Sequence, residues 1–164
     1  MKRIGMFVWN TFTNDARVLR ECTALVEVGH RVDLYCLNDG TLPGIEYPIP
    51  GFRVIRINRT PPLAKGLPFF RKRKKLTLAV GLLGALLAPW LIPFGLVLFL
   101  LMRSRFVRYA LYNSFGILRM TRAARRHQYD VMHANDVNTL PQAIGAARGA
   151  AIVYDSHEVQ TDRT

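Results

Sequence analysis

The sequence predicts an α/β chain: a parallel sheet flanked by helices and interrupted by an inserted apolar helical hairpin. Three observations point there. Residues 3–37 alternate strand, helix and strand with short joints, and the same alternation returns at 129–154. Between them, residues 76–102 form a run of 27 positions without a charge, bounded on both sides by basic clusters.

Residues 3–8 (RIGMFV) are a β-prone run ending in the loop WNTFTND. In residues 15–28, Val18, Leu19, Cys22, Leu25 and Val26 recur at helical spacing and make one apolar face. Asn14 or Asp15 caps the start and Gly29 closes the end. Residues 31–37 alternate, with Val32, Leu34 and Cys36 on one side. A strand, a helix of about four turns and a strand make a βαβ unit with parallel strands and a right-handed crossover. The fold class is therefore a Rossmann-like sheet. Residues 39–51, with three Pro and three Gly, read as a loop, and 52–57 as a third strand. Residues 104–127 read as a basic helix, with Phe106, Tyr109, Ala110, Phe115 and Leu118 on an apolar side. Residues 130–134 are a fourth strand and 151–154 a fifth. Between them, 138–148 hold a short helix with Pro141 in its first turn. Residues 1–68 and 106–164 are thus expected to form the sheet domain, and 69–105 the insert.

The formal net charge of +12 calls for an anionic partner. The basic residues flank lipid-like sequence and lack an aromatic RNA-binding signature, which favours anionic lipid over nucleic acid. Cys22 and Cys36 both lie in apolar-periodic segments and are expected as buried thiols, neither a disulfide nor a metal site. The opening MKRIGMFVWN has too short an apolar run for a signal peptide, so the N-terminus is expected in the cytoplasm.

The uncharged run exceeds the roughly 20 residues a membrane-crossing helix needs. Pro89 and Pro93 interrupt it near the middle, and both flanks are basic, which favours the cytoplasmic side for each end. Strands before and after the insert also have to share one sheet. Two half-helices, about 76–88 and 94–105, each reach only roughly 20 Å. The expectation is a re-entrant or interfacial hairpin bent at APWLIP. Arg71, Lys72, Arg73, Lys74, Lys75, Trp90, Arg103 and Arg105 are its candidate membrane-binding residues. A single span and a helical pair buried in protein are the alternatives.

The segment NTFTNDARVLRECTALVEVGHRVDLYCL resembles the first βαβ unit of family 4 glycosyltransferases of the GT-B fold, through Arg17, Val18, Glu21, Gly29, His30 and Val32. The later D-V-x-H-A-x-D followed by Y-D-S-H-E resembles one branch of the same family. The resemblance covers 1–60 and 128–160 and leaves out the insert. It implies the acceptor-side, N-terminal domain of a two-domain enzyme. The partner C-terminal domain, with its E-x7-E motif, is then expected outside this sequence, and the piece alone inactive. Transfer from a nucleotide sugar to a lipid-linked or polysaccharide acceptor, with retention, at the cytoplasmic face of the cell membrane is what the resemblance and the insert together imply. One half of a split enzyme, a non-catalytic membrane-bound binding module, and a membrane protein with a coincidental α/β pattern are the rivals.

Ligands of parallel sheets gather at the carboxyl ends of the strands, here the loops 9–15, 133–138 and 155–160. The helix N-terminus after WNTFTND suits a phosphate or hydroxyl, which makes Asn10, Thr13, Asn14 and Arg17 candidate substrate-binding residues; plain capping and a solvated arginine are the alternatives. His133, at a strand end, is a candidate catalytic residue. Asp136 is a binding candidate or a helix cap. Asp155, His157 and Glu158 crowd two carboxylates and an imidazole into four residues, costly to bury unpaired but suited to a polar cleft. His157 and Glu158 are catalytic candidates and Asp155 a binding one. His30 reads as a helix C-terminal residue without a catalytic role. No spacing suits a metal, and the resemblance implies neither metal nor cofactor, the nucleotide sugar being a substrate.

Overall fold

A computed structural model describes residues 1–62 and 72–156, without the side chains of 85, 91, 98 and 102. His157, Glu158 and Arg71 lie outside the described residues. The chain divides into two compact units, Met1–Arg59 with Gly116–Thr164, and Thr60–Phe115.

The first unit is built on a six-stranded sheet. In chain order the strands are β1 (Arg3–Phe7), β2 (Arg31–Asn38), β3 (Ile45–Ile49), β4 (Phe52–Asn58), β5 (Val131–Ala134) and β6 (Ala151–Tyr154). Their spatial order is β3-β4-β2-β1-β5-β6. All neighbours are parallel except β3 and β4. Without β3, the order is third, second, first, fourth, fifth: a Rossmann-like sheet whose strand order reverses between β1 and β5.

Helix α1 (Ala16–Glu27) covers one face, burying Val18 and Cys22 against Ile4, Met6, Leu34, Cys36 and Val54. Each such fully buried apolar side chain contributes about 1.5–3 kcal/mol. Leu19, expected on the apolar stripe, is 42% exposed. It sits one residue beyond Val18, and the buried stripe is the narrower i, i+4 pair Val18–Cys22. Both thiols are free and buried, and burial pushes each up to about 12.

The other face is covered by α4 (Arg105–Ala124) and α5 (Leu140–Ala146), where Met120, Ala124, Ala143 and Ala146 meet Phe7, Tyr35 and Met132. The packed side of α4 is Gly116, Met120 and Ala124, and differs from the expected one. Phe106, Tyr109 and Leu118 are exposed. Gly116 and Ala124, at i and i+8, let the backbone come close on either side of Met120: a Cβ on Gly116 would lie 3.0 Å from the Trp9 ring and 3.1 Å from Arg59 Cβ. Bulk identifies hydrophobicity, but here closeness decides the face.

The expected loop 39–51 contains β3. It is a short edge strand, paired once, antiparallel and with an irregular register, and it carries Pro48. An edge strand tolerates the missing N–H, which is why proline and strand coexist there. Strand β2 is buried on both faces along most of its length, as expected of a central parallel strand.

Asp33 of β2 ties the sheet together on the α4 side. Its carboxylate accepts from Arg53 (Nε at 2.8 Å, Nη2 at 2.9 Å), from Arg3 (Nη2 at 2.7 Å) and from the Tyr129 hydroxyl at 2.7 Å. Tyr129, its own hydroxyl spent on Asp33, accepts from Tyr35 at 2.7 Å. The network joins β1, β2, β4 and the residue entering β5. Burial alone would raise the Asp33 carboxyl, but the bonds from Arg53, Tyr129 and Arg3 outweigh it and hold it below its ordinary value. Burial also pushes the Tyr35 hydroxyl up to about 12.

The second unit holds α2 (Lys74–Leu87), a 3-10 turn Pro89–Leu91, and α3 (Ile92–Arg103), followed by the first half of α4. The helix stops at Leu87, as the prolines predict: Pro89 has no N–H to donate back, and the chain turns through 3-10 geometry before α3. Pro93 is in the first turn of α3, where it costs little. The helices have 14 and 12 residues, about 21 and 18 Å at about 1.5 Å per residue. No helix among the described residues is long and apolar enough to cross a membrane.

Replacing Asp33 by Asn should lower the unfolding free energy by about 2–4 kcal/mol at pH 7 in urea titrations. Because the folded carboxyl titrates below its ordinary 3.8, its stabilisation is full above that pH and is lost as pH falls through the lowered value. The gap between wild type and Asp33→Asn should therefore close below pH 3.8.

Candidate functional site

The strand order reverses between β1 and β5, and the carboxyl ends of strands at such a reversal are where open parallel sheets bind ligands. Three segments converge there: the loop after β1 with the start of α1, the turn after β5 with α5, and Asp155 after β6. The Asp155 amide donates to Ala134 O at 2.9 Å and the Asn135 amide to Phe7 O at 3.2 Å, which fixes the strand ends side by side.

The loop after β1 spends its polar groups on itself. Asp15 caps α1, accepting from Val18 N at 3.2 Å through one oxygen and from Asn10 Nδ2 at 2.9 Å through the other. Asn10 Oδ1 accepts from Phe12 N at 2.8 Å. Thr13 pairs with the Thr11 hydroxyl at 3.3 Å, and Asn14 and Arg17 are exposed. Asn10 thus has a structural duty, while Thr13, Asn14 and Arg17 stand at the rim. Thr13, Asn14 and Asp15 line a shallow cavity of about 310 Å³ with Phe12, Ala16 and Leu19. Phe12 adopts a left-handed φ of 53°, unusual for an aromatic residue. The bond to Asn10 and an edge-on contact with the Phe52 ring, 6.0 Å between centroids, hold it there.

The turn after β5 is different. His133 is buried on the α1 side, and its Nδ1 lies 3.1 Å from Glu21 Oε1. Its Nε2 is buried without a partner. Asn135 gives its amide to Phe7 O at 3.3 Å, and Gln142 gives its amide to Asn138 O at 3.1 Å. Those bonds orient both amides, and the carbonyl oxygens Asn135 Oδ1 and Gln142 Oε1 are left buried and unpaired. An unpaired buried acceptor costs about 1–3 kcal/mol unless water or a ligand supplies the donor. His30 Nδ1 is also buried without a partner, at the far end of α1. Asp136 is a cap: its carboxylate accepts from Val137 N at 2.9 Å and its carbonyl from Thr139.

The structure brings His133 and Asp155 together and adds Glu21, which carried no role in the sequence reading. One potential ligand atom from each of the three lies within 4.8 Å of the others. Glu21 sits on α1 and His133 on β5, far apart in sequence, so no spacing rule could join them. Asn135 and Gln142 were missed for a similar reason: an amide reads as neutral until its partners can be counted. A pocket of about 530 Å³ lies at the other end of the sheet, around Gln128, Asp130 and Arg148. It faces the amino ends of β5 and β6 and is apart from the unpaired acceptors.

No family model matches this chain. No curated protein matches it either. Among solved structures it is similar to sucrose-phosphate synthase from Thermosynechococcus elongatus, at 15% identity over 96% of this chain and 90% of that one. The TM-score is 0.31, too low for the likeness to bear on function.

Asp15→Ala should lower stability by about 1 kcal/mol in denaturant titrations, and by more than Asn14→Ala, because Asp15 alone carries the cap and anchors Asn10.

Proposed function

We propose that this chain is the acceptor-side part of a membrane-associated glycosyltransferase. In this reading it moves a sugar from a nucleotide-sugar donor to a lipid-linked or polysaccharide acceptor at the cytoplasmic face of the cell membrane, with retention. A second GT-B domain supplies most of the donor site. The resemblance of the strand-end motifs to family 4 glycosyltransferases names the chemistry. One observation carries it: the buried, unpaired acceptors His133 Nε2 and Asn135 Oδ1 at the end of β5, where the strand order reverses, with Gln142 Oε1 on the helix that follows. The two amide oxygens can only accept. They suit the O–H groups of a polyol and repel phosphate oxygens, so the sugar rings sit by β5 and the phosphate-competent helix N-terminus lies at α1.

The second unit supports the membrane part. Leu78, Leu86, Leu87, Phe94 and Phe99 are largely exposed, and Trp90 is 67% exposed between them. An apolar surface of that extent marks an interaction site. Lys72, Arg73, Lys74 and Lys75 precede it and Arg103 and Arg105 follow it, all exposed. We propose that α2 and α3 bend at the 3-10 turn into a hairpin lying in one leaflet, with these cations on anionic headgroups.

Two measurements test the reading. Saturation-transfer NMR against a panel of oligosaccharides and nucleotide sugars should show a saccharide bound to the wild type, with the signal lost in Asn135→Leu. No saturation transfer from any saccharide would sink the glycan assignment. Cosedimentation with phosphatidylserine-containing vesicles should weaken on neutralising Lys72, Arg73, Lys74 and Lys75 together, by about 10³-fold at about 1 kcal/mol per charge. Equal binding to neutral and anionic vesicles would remove the electrostatic part of the proposal.

A further inference from the structure

Glu21 is not absorbed by the function proposed above. It lies on α1, its side chain 31% exposed, and directs Oε1 to Nδ1 of His133 at 3.1 Å. A carboxylate on one ring nitrogen decides which nitrogen of a neutral imidazole carries the proton. With Glu21 ionised, Nδ1 must be the donor. Nε2 is then a bare lone pair, buried and without a partner in the protein. Asn135 Oδ1, just past the same strand, is likewise a buried acceptor without a partner.

We infer that Glu21 is a positioning residue: it fixes His133 in the Nδ1–H tautomer and so presents Nε2 as the acceptor for a ligand hydroxyl. The inference rests on the hydroxyl-binding reading for its purpose, but the tautomer itself does not depend on any ligand. The arrangement follows the general logic in which a carboxylate orients an imidazole whose other nitrogen faces the substrate. No bond is made or broken by Glu21; it holds one proton on Nδ1 and keeps Nε2 free to receive a hydrogen bond from a sugar O–H. In the free side chain the Nε2–H form is the favoured neutral tautomer, so the carboxylate works against an intrinsic preference, and its removal has a readable signature.

The test is long-range ¹H–¹⁵N correlation NMR of His133 at pH 8, above the ordinary imidazole value of about 6.5. The wild type should show Nδ1–H as the major tautomer. Glu21→Ala should shift His133 to mainly Nε2–H, with folding checked by circular dichroism. Because Glu21 is partly exposed, the variant is expected to fold. Should it not, the wild-type spectrum still decides: Nε2–H as the major form in wild type overturns the inference, as does an unchanged tautomer in a folded Glu21→Ala. In the same samples, binding of the saccharide found by saturation transfer should weaken about tenfold in Glu21→Ala, the loss of about one hydrogen bond. A tautomer that behaves as stated, with no saccharide bound by the wild type, leaves the pairing standing and removes the glycan reading.

Discussion

Everything in the first unit depends on β1 having a neighbour on each side. Arg3 to Phe7 pair with Arg31 to Tyr35 of β2, and Ile4 to Phe7 pair with Val131 to Ala134 of β5. The second pairing joins residues separated by more than half the chain, across the whole apolar segment. It is also what creates the reversal of strand order. The points where the chain leaves and re-enters this unit meet the same constraint: a Cβ on Gly116 would lie only 3.1 Å from Arg59 Cβ. Such a closure costs loop entropy, but that cost grows only slowly with loop length. A long insertion is therefore tolerable once both of its ends are held by the sheet.

The Asp33 network is the polar counterpart of that closure. It draws Arg3, Arg53 and Tyr129 onto one carboxylate, so that strands from both sides of the insertion share a single ion-paired centre. Arg3 also lies over the Tyr129 ring, 5.0 Å from its centroid. Gly5 makes room for this packing. A Cβ there would meet Met132 Sδ at 2.8 Å and Tyr129 at 3.4 Å. This centre shares its face of the sheet with one of the two apolar clusters, and the carboxyl ends of β1 and β5 are left to less satisfied groups. That division of labour is common where stability and binding must coexist.

Much of the sheet was legible because central parallel strands are apolar throughout and helices between them have one stripe. Val32, Leu34 and Cys36 went where alternation put them, and the buried thiols followed. The missed strand β3 shows the limit. Its pairing is with β4 alone, and three prolines and three glycines in its neighbourhood speak more loudly than Ile45 and Ile49. The face of α4 shows another limit. Side-chain bulk favoured Phe106 and Tyr109, but the sheet selected Gly116, Met120 and Ala124, the side that could come close. Within the candidate site, strand-end position pointed to His133 and Asp155, and helix-start chemistry pointed to Asn14 or Asp15 as a cap, of which Asp15 is the one. Glu21, Asn135 and Gln142 required three-dimensional accounting, since what distinguishes them is which of their atoms has a neighbour and which has none.

Strand β6 has a different kind of consequence. Ile152, Val153 and Tyr154 are each close to half exposed, although they alternate between the two faces of the sheet. Among the described residues nothing pairs with its outer side. The opposite margin, β3, is blunted by Pro48 and by Glu46 held to Arg56. Among the described residues the two borders thus differ: β3 is protected, while β6 turns amides and carbonyls outward with no strand beside them. Two copies meeting there would add strand to strand, so concentrated preparations of this polypeptide by itself are prone to clump along that border.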